Sequence, residues 1–317
     1  MSYIYPCRLV FLAAVCAAAA LGAGVCVAAD DSRSKPLHED HGAFEPIAPG
    51  TDSAACASGV SGGFACNNVE LLARLPLDAI GGGSGSDSWG WKDIATHRYY
   101  ALVARSNGTA FVEVTDPEAP VYLGNLPSTS GNAPWRDVKV YANHAFIVAD
   151  GIADHGMQVF DLTRLRGVNS PQTFAADALY TGVGAAHNVA INEQSGFAYI
   201  VGSNSCSGGL HMVDIATPKS PVFAGCFSGD GYTHDVQCVS YAGPDADHAG
   251  SELCFAANED SLTIVDVSDK STPVLLGKAQ YPGIGYSHQG WLSDDHAVFF
   301  MGDEADELGF GMNTRTL

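Results

Sequence analysis

The sequence predicts an all-β fold, a β-propeller of four-stranded blades with about four and a half blades present. Three observations predict it. A short pattern recurs at "FVEVTDPEAPVYLG" (111–124), "LHMVDIATPKSPVFAG" (210–225) and "LTIVDVSDKSTPVLLG" (262–277), with a relative carrying an insertion, "MQVFDLTRLRGVNSPQTF" (157–174). The composition suits short strands and tight turns: 46% hydrophobic residues, 16% charged, and 36 glycines in 317 residues. A basic-then-polar pair opens each unit, at Lys92-Asp93, Arg136-Asp137, His187-Asn188, His234-Asp235 and His288-Gln289, with spacings of 44, 51, 47 and 54 residues.

Residues 1–29 read as a cleaved export signal, with Arg8 as its one charge, "LVFLAAVCAAAALGAGV" as its apolar core and "VAA" before Asp30. The apolar run is also about long enough for a membrane anchor, the rival reading. No later stretch is apolar enough to span a membrane. Residues 30–67 have no sustained period and read as an irregular segment. "GGGSGSDS" (81–88) reads as a flexible loop, and the strand-like "NVELLARLPL" (68–77) as a fourth strand without a blade of its own.

From residue 89 each unit gives a first strand ("DVKVYA", "NVAINE") and a second ("YALVA", "AFIVAD", "AYIVGS", "LCFAAN", "AVFFMGD"). A polar loop then leads to the third strand and on to the fourth. Blades pack face to face, so their middle strands are covered on both sides and become continuous apolar runs such as "LTIV" and "AFIV". The following Asp or Thr bonds nearby backbone N–H groups and starts a turn. Proline opens the outermost strand, where its missing N–H faces solvent; glycine is expected to end it. The fifth unit stops partway, at "GMNTRTL" (311–317). Either the 68–77 strand completes a five-unit ring, or residues 68–317 are part of a longer propeller; the second expectation is favoured.

Removal of the signal with Arg8 leaves 14 basic against 35 acidic residues, a charge near −21. Such a chain repels nucleic acid and anionic membranes and suits cations. Three of nine cysteines fall in the signal, leaving six. In an oxidising compartment that implies three disulfides, and sequence proximity favours Cys56–Cys66, Cys206–Cys226 and Cys238–Cys254. No CxxC spacing occurs, which speaks against zinc ribbons and thioredoxin chemistry.

At "LTIVD" and "LHMVD" the sequence resembles the LVIVD-repeat proteins, and more closely those of the choice-of-anchor B family; "HDVQCV", "SHQGWLSDDHAVFFMGDEADE" and "PVLLG" strengthen the likeness. The resemblance covers roughly residues 68–317. It implies a secreted or surface-held propeller that continues in further repeats, and it implies no activity.

Propeller connectivity returns the second-to-third-strand loops to the end of the axis where the first strands begin. One polar rim is therefore expected to gather Trp91, Asp93, Trp135, Arg136, Asp137, His187, Asn188, His234, Asp235, His288 and Gln289. Beside them come the loop residues Asp150, Asp154, Asn258, Glu259, Asp260, Asp303, Glu304 and Asp306. Carboxylates and Asn carbonyls suit Ca2+, and three imidazoles suit a transition metal. Against a site stands the recurrence of the pairs in every unit: blade-to-blade hydrogen bonding needs five copies, an active site does not. "GVSGG" (59–63) matches GxSxG but lacks the strand and helix of a nucleophile elbow. "HEDH" (38–41) is not HExxH. No catalytic residue is assigned. The expected function is a secreted, non-enzymatic binding or scaffold module taking a protein, glycan or cation at its rim. The alternative is a metal-assisted propeller hydrolase or lyase using rim His and Asp residues.

Overall fold

A computed structural model describes residues 53–310. The signal reading of 1–29 and the end segment 311–317 lie outside the described residues.

A two-residue hairpin, β1 (Val60–Ser61) and β2 (Phe64–Ala65), is closed by the Cys56–Cys66 disulfide. Ser61 of "GVSGG" is buried and its Oγ is bonded to Ala54 O and Leu71 N, so it pins the chain.

Four antiparallel sheets and a two-stranded fifth then follow in chain order. The first is β3 (Gly85–Asp93), β4 (Arg98–Arg105), β5 (Gly108–Glu113) and β6 (Val121–Pro127). The second holds β7 (Trp135–Tyr141), β8 (His144–Asp150) and β9 (Met157–Asp161), completed by β11 (Ala178–Tyr180) after the short β10 (Gln172–Thr173). The third is β12 (Asn188–Asn192), β13 (Phe197–Val201), β14 (Leu210–Asp214) and β15 (Val222–Phe227). The fourth is β16 (Asp235–Ser240), β17 (Glu252–Ala257), β18 (Leu262–Asp266) and β19 (Val274–Ala279). The fifth pairs β20 (Ser287–Leu292) with β21 (Phe299–Asp303), followed by the short helix α1 (Asp306–Phe310).

The expected propeller-like fold is the one observed. Successive blades sandwich separate apolar layers: Leu102, Phe111, Ile147 and Phe160 between the first two, Phe146, Val148, Val189 and Ile200 between the next. Tyr199, Met212, Val236 and Cys254 then fill the third gap, and Leu253, Phe255 and Leu292 the fourth. This double covering is why β8 and β17 carry apolar side chains on both faces. Third strands end on an acid that organises the next turn: Asp161, Asp214 and Asp266 accept from Thr163 N, Ala216 N and Ser268 N.

The structure corrects three sequence expectations here. The repeated glycine does not end the outer strand. Gly124, Gly225 and Gly277 sit inside it, each directly after the extra residue of a β-bulge in that same outer strand (Leu123, Ala224, Leu276), and each strand continues beyond them. The next blade explains two of the three: a Cβ on Gly124 would run into the Gln172 backbone, and one on Gly225 into the Lys270 carbonyl. Next, the insertion of the second blade is not idle. Its "QT" forms β10, which adds in parallel to β6 of the first blade, and β11 takes over the fourth position. Finally, residues 69–77 form no strand. Leu71 makes one isolated bridge to Ala54; Leu75, Leu77 and Ile80 then cover Ala110 and Val112 on the open face of the first blade. An apolar face already present at residue 110 outcompetes pairing with a distant edge.

The three proposed disulfides are present, with Cα–Cα distances of 5.9 Å (Cys56–Cys66), 5.7 Å (Cys206–Cys226) and 4.0 Å (Cys238–Cys254). Cys238 and Cys254 are direct partners across β16 and β17. Among the described residues no helix is long and apolar enough to cross a membrane.

Candidate functional site

The inner strands β3, β7, β12, β16 and β20 surround a cleft of about 930 Å3. At one end stands a ladder of rings contributed by consecutive blades. Trp135 lies 6.0 Å from His187, His187 4.3 Å from His234, and His234 4.2 Å from His288, all between centroids. Tyr286 closes the ladder edge-on, 5.3 Å from His234. One imidazole from each of the last three blades, at matching positions of the repeat, gives this ladder directly.

Each rung is fixed by a partner from a second-to-third-strand loop or a neighbouring strand. His187 Nδ1 donates to Asp150 Oδ2 at 2.9 Å, and His288 Nε2 lies 3.6 Å from Glu304 Oε2. His234 Nδ1 donates to the His288 carbonyl at 2.9 Å. Burial, then the neighbouring His187 and His288, pushes His234 down to about 3. His234 is therefore a neutral ring at ordinary pH, able to sit against both neighbouring imidazoles.

Below the ladder is a charged layer. Lys139 Nζ bonds Asp137 and lies 3.7 Å from Asp87, with the Trp89 ring 4.7 Å away. Burial and the neighbouring Asp137 raise Asp87 to about 6 against the pull of Lys139. Burial also raises Asp235. Much of this layer clamps blades together. Asp87 Oδ2 accepts from Val138 N (3.2 Å) and Asp137 Oδ2 from Val189 N (2.7 Å). Asn188 Nδ2 donates to His234 O (2.9 Å), and Gln237 Oε1 accepts from Leu292 N (2.7 Å). Gln289 lines the same cleft.

Two expected rim residues lie elsewhere. Lys92-Asp93 is not the equivalent of the other pairs; Ser86-Asp87 is, because Ser86 and Asp87 bond the β7 backbone as Asp137 bonds that of β12. Asp93 sits at the far end of β3, buried, gripped by Arg166 at 2.6 and 2.7 Å, which holds its carboxyl well below the usual range. Trp91 is buried, stacked on Tyr100 at 4.8 Å and bonded to Asn143. The readable signal was spacing: Asp87 stands 50 residues before Asp137, nearer the other intervals than the 44 from Asp93. The "GGGSGSDS" segment thus opens a strand. Arg136 borders the cleft, but its guanidinium turns into the gap between the first two blades, against His155.

The acidic loop residues do not converge. Asp303 is consumed by Tyr281 OH (2.7 Å), Gly285 N, Tyr286 N and Ala305 N. Asp260 takes Ser261 Oγ and Lys278, and Asn258 Nδ2 donates to Asp230 at 2.9 Å. Glu259 Oε1 accepts from Tyr286 OH at 3.2 Å, Asp154 has a left-handed φ of 58°, and Asp306 is buried at the start of α1. Among the described residues no three His, Cys, Asp or Glu side chains form a metal-holding group. His187 and His234 each donate Nδ1–H to a protein acceptor. Among the described residues the carboxylates and imidazoles thus do not gather into a Ca2+ or transition-metal ligand group.

With this geometry in hand, comparison with known proteins places the repeats. Residues 183–228 and 253–280 match the LVIVD repeat. No match is found among curated proteins. A functionally unknown protein from Desulfotomaculum acetoxidans has a solved structure similar at TM-score 0.50 and 18% identity, over 70% of this chain and 64% of that one. A protein from Lactobacillus plantarum is similar at TM-score 0.44 and 15% identity, over 63% and 56%. An auxiliary nutrient binding protein from Bacteroides ovatus gives 0.39 and 17%, over 64% and 49%. This chain thus spans less than two thirds of the length of each. At such identities the first likeness bears on the fold alone.

Proposed function

We propose that the chain is a secreted propeller module of the choice-of-anchor B kind that binds a polar ligand, glycan or protein, at the Trp135–His187–His234–His288 ladder. One observation carries the reading: four rings, one from each of the second to fifth blades, lie in tilted contact at the mouth of an axial cleft, with Trp135 exposed and Asp150 and Glu304 along the edge. An exposed tryptophan beside imidazoles and carboxylates suits the apolar faces and hydroxyls of sugars, or a basic side chain. The quoted family motifs, the N-terminal signal pattern and three disulfides support export. Catalysis by a metal-assisted hydrolase lacks a convergent ligand set, and no observation favours it.

Saturation-transfer NMR against a panel of oligosaccharides and basic peptides tests this. Trp135 is 39% exposed, so Trp135→Ala leaves the fold intact. It is expected to weaken binding about tenfold, the scale of one lost aromatic contact. Unchanged affinity in Trp135→Ala, with melting also unchanged, overturns the rim as the binding surface.

A further inference from the structure

Behind the rim, in the gap between the first two blades, lies a buried cation without a counter-charge. Arg136 is 2% exposed. Its Nη1 donates to His155 Nε2 at 3.0 Å and its Nη2 reaches Gly131 O at 3.5 Å. His155 gives its other ring proton to Gly156 O at 2.8 Å, so this partner is a neutral imidazole. No carboxylate bonds the guanidinium. The charge nearest in effect is a second buried arginine, Arg105, itself held only by Gly82 O and Asn125 Oδ1. None of the described acidic residues bonds Arg136. Leaving a desolvated charge uncompensated is among the costliest arrangements in a folded protein.

The same gap contains polar atoms with nothing to bond. Arg136 Nε, Thr109 Oγ1, Ser128 Oγ and Ser130 Oγ are all buried and unpartnered. The connection from β6 to β7 carries both serines and is tied down along its length. Gln158 Nε2 donates to Pro127 O (3.0 Å), Ser128 N to Asn107 O (3.2 Å) and Thr129 Oγ1 to His155 O (2.7 Å). All four unpartnered atoms are able to donate. Water alone would satisfy the hydrogen bonds and leave the charge.

We propose that this gap is a structural anion site, in which a small monovalent anion of the halide class is held by Arg136 Nε and the hydroxyls of Ser128, Ser130 and Thr109. One guanidinium edge with single-donor hydroxyls matches one unit of negative charge. The site is separate from the rim and does not depend on what the rim binds.

Thermal melts in potassium bromide and in potassium gluconate at equal ionic strength test it, since gluconate is too bulky for a buried gap. Bromide is expected to raise Tm by roughly 2–8 °C in a saturable manner. The Ser128→Ala/Ser130→Ala double variant keeps the arginine and its fold, and is expected to lose at least half of that rise. A bromide-soaked crystal should show an anomalous peak between Arg136 Nε and the two serines. An equal Tm rise in wild type and double variant, or the lack of an anomalous peak in this gap, overturns the proposal.

Discussion

Glu252→Gln is expected to destabilise the protein by about 3–5 kcal/mol, the cost of breaking one partner out of a buried ion pair. Glu252 is 8% exposed and joins two blades. Its Oε1 accepts from Asn192 Nδ2 (2.7 Å), Tyr199 OH (2.6 Å) and Ser195 Oγ of the third blade, and its Oε2 from Lys270 Nζ (2.7 Å) of its own. Lys270 also lies 4.1 Å from the Phe197 ring. Burial alone would raise the Glu252 carboxyl, but hydrogen bonds from Lys270, then Ser195 and Tyr199, hold it below its usual range. An amide removes the negative charge and strands Lys270 in a dry interface. Adding Lys270→Met to Glu252→Gln should recover part of the loss, because the stranded cation goes with it. Urea unfolding measures both. A single variant within about 1 kcal/mol of wild type would show that this network does not lock the blades.

The second large effect is a loss of stability on acidification, tied to buried neutral histidines. Burial pushes His155 and His211 down to about 4 and His234 to about 3, against about 6.5 in an unfolded chain. For each, the unfolded state binds a proton that the folded state refuses. The stabilisation is whole above about pH 6.5 and is lost as pH falls toward the folded value. His155, fully buried, carries up to about 3 kcal/mol of this dependence. Asp87 and Asp235 act with the opposite sign, since their raised values favour the folded state as pH falls. The variant comparison separates these contributions. His155→Gln can still accept from Arg136. Its stability deficit relative to wild type should therefore shrink steadily between pH 7 and pH 4 in urea titrations. A deficit that is constant with pH would mean that His155 titrates alike in both states.

The fold was legible because the repeat writes the same mechanics several times: an apolar run covered on both faces, an acid that turns the chain, a proline that opens the outer edge. What escaped were features set by neighbouring blades. Gly124 and Gly225 look like strand terminators in one dimension and prove to be clearance for Gln172 and Lys270. "QT" at 172–173 resembles the fourth strand of its own blade, yet pairs with the preceding one. The ring ladder was legible as three histidines at matching positions. Its first-blade counterpart was not, because Ser86-Asp87 lies in a glycine-rich stretch with no apolar strand signal, whereas Lys92-Asp93 offered a better local match at the wrong end. The acidic loops misled for another reason: carboxylates that read as open ligands, such as Asp303, are already saturated by the loop's own N–H groups.

The most direct measurement of the rim is a pH titration of the histidine rings by NMR, with ring-to-ring NOEs, on the wild-type chain. Stacking of three blades' imidazoles predicts NOEs between His187 and His234 and between His234 and His288, with His234 neutral and carrying its proton on Nδ1 down to about pH 4. Absence of those NOEs, with His234 titrating near 6.5 like an exposed imidazole, would contradict the gathering of these residues at one end of the axis.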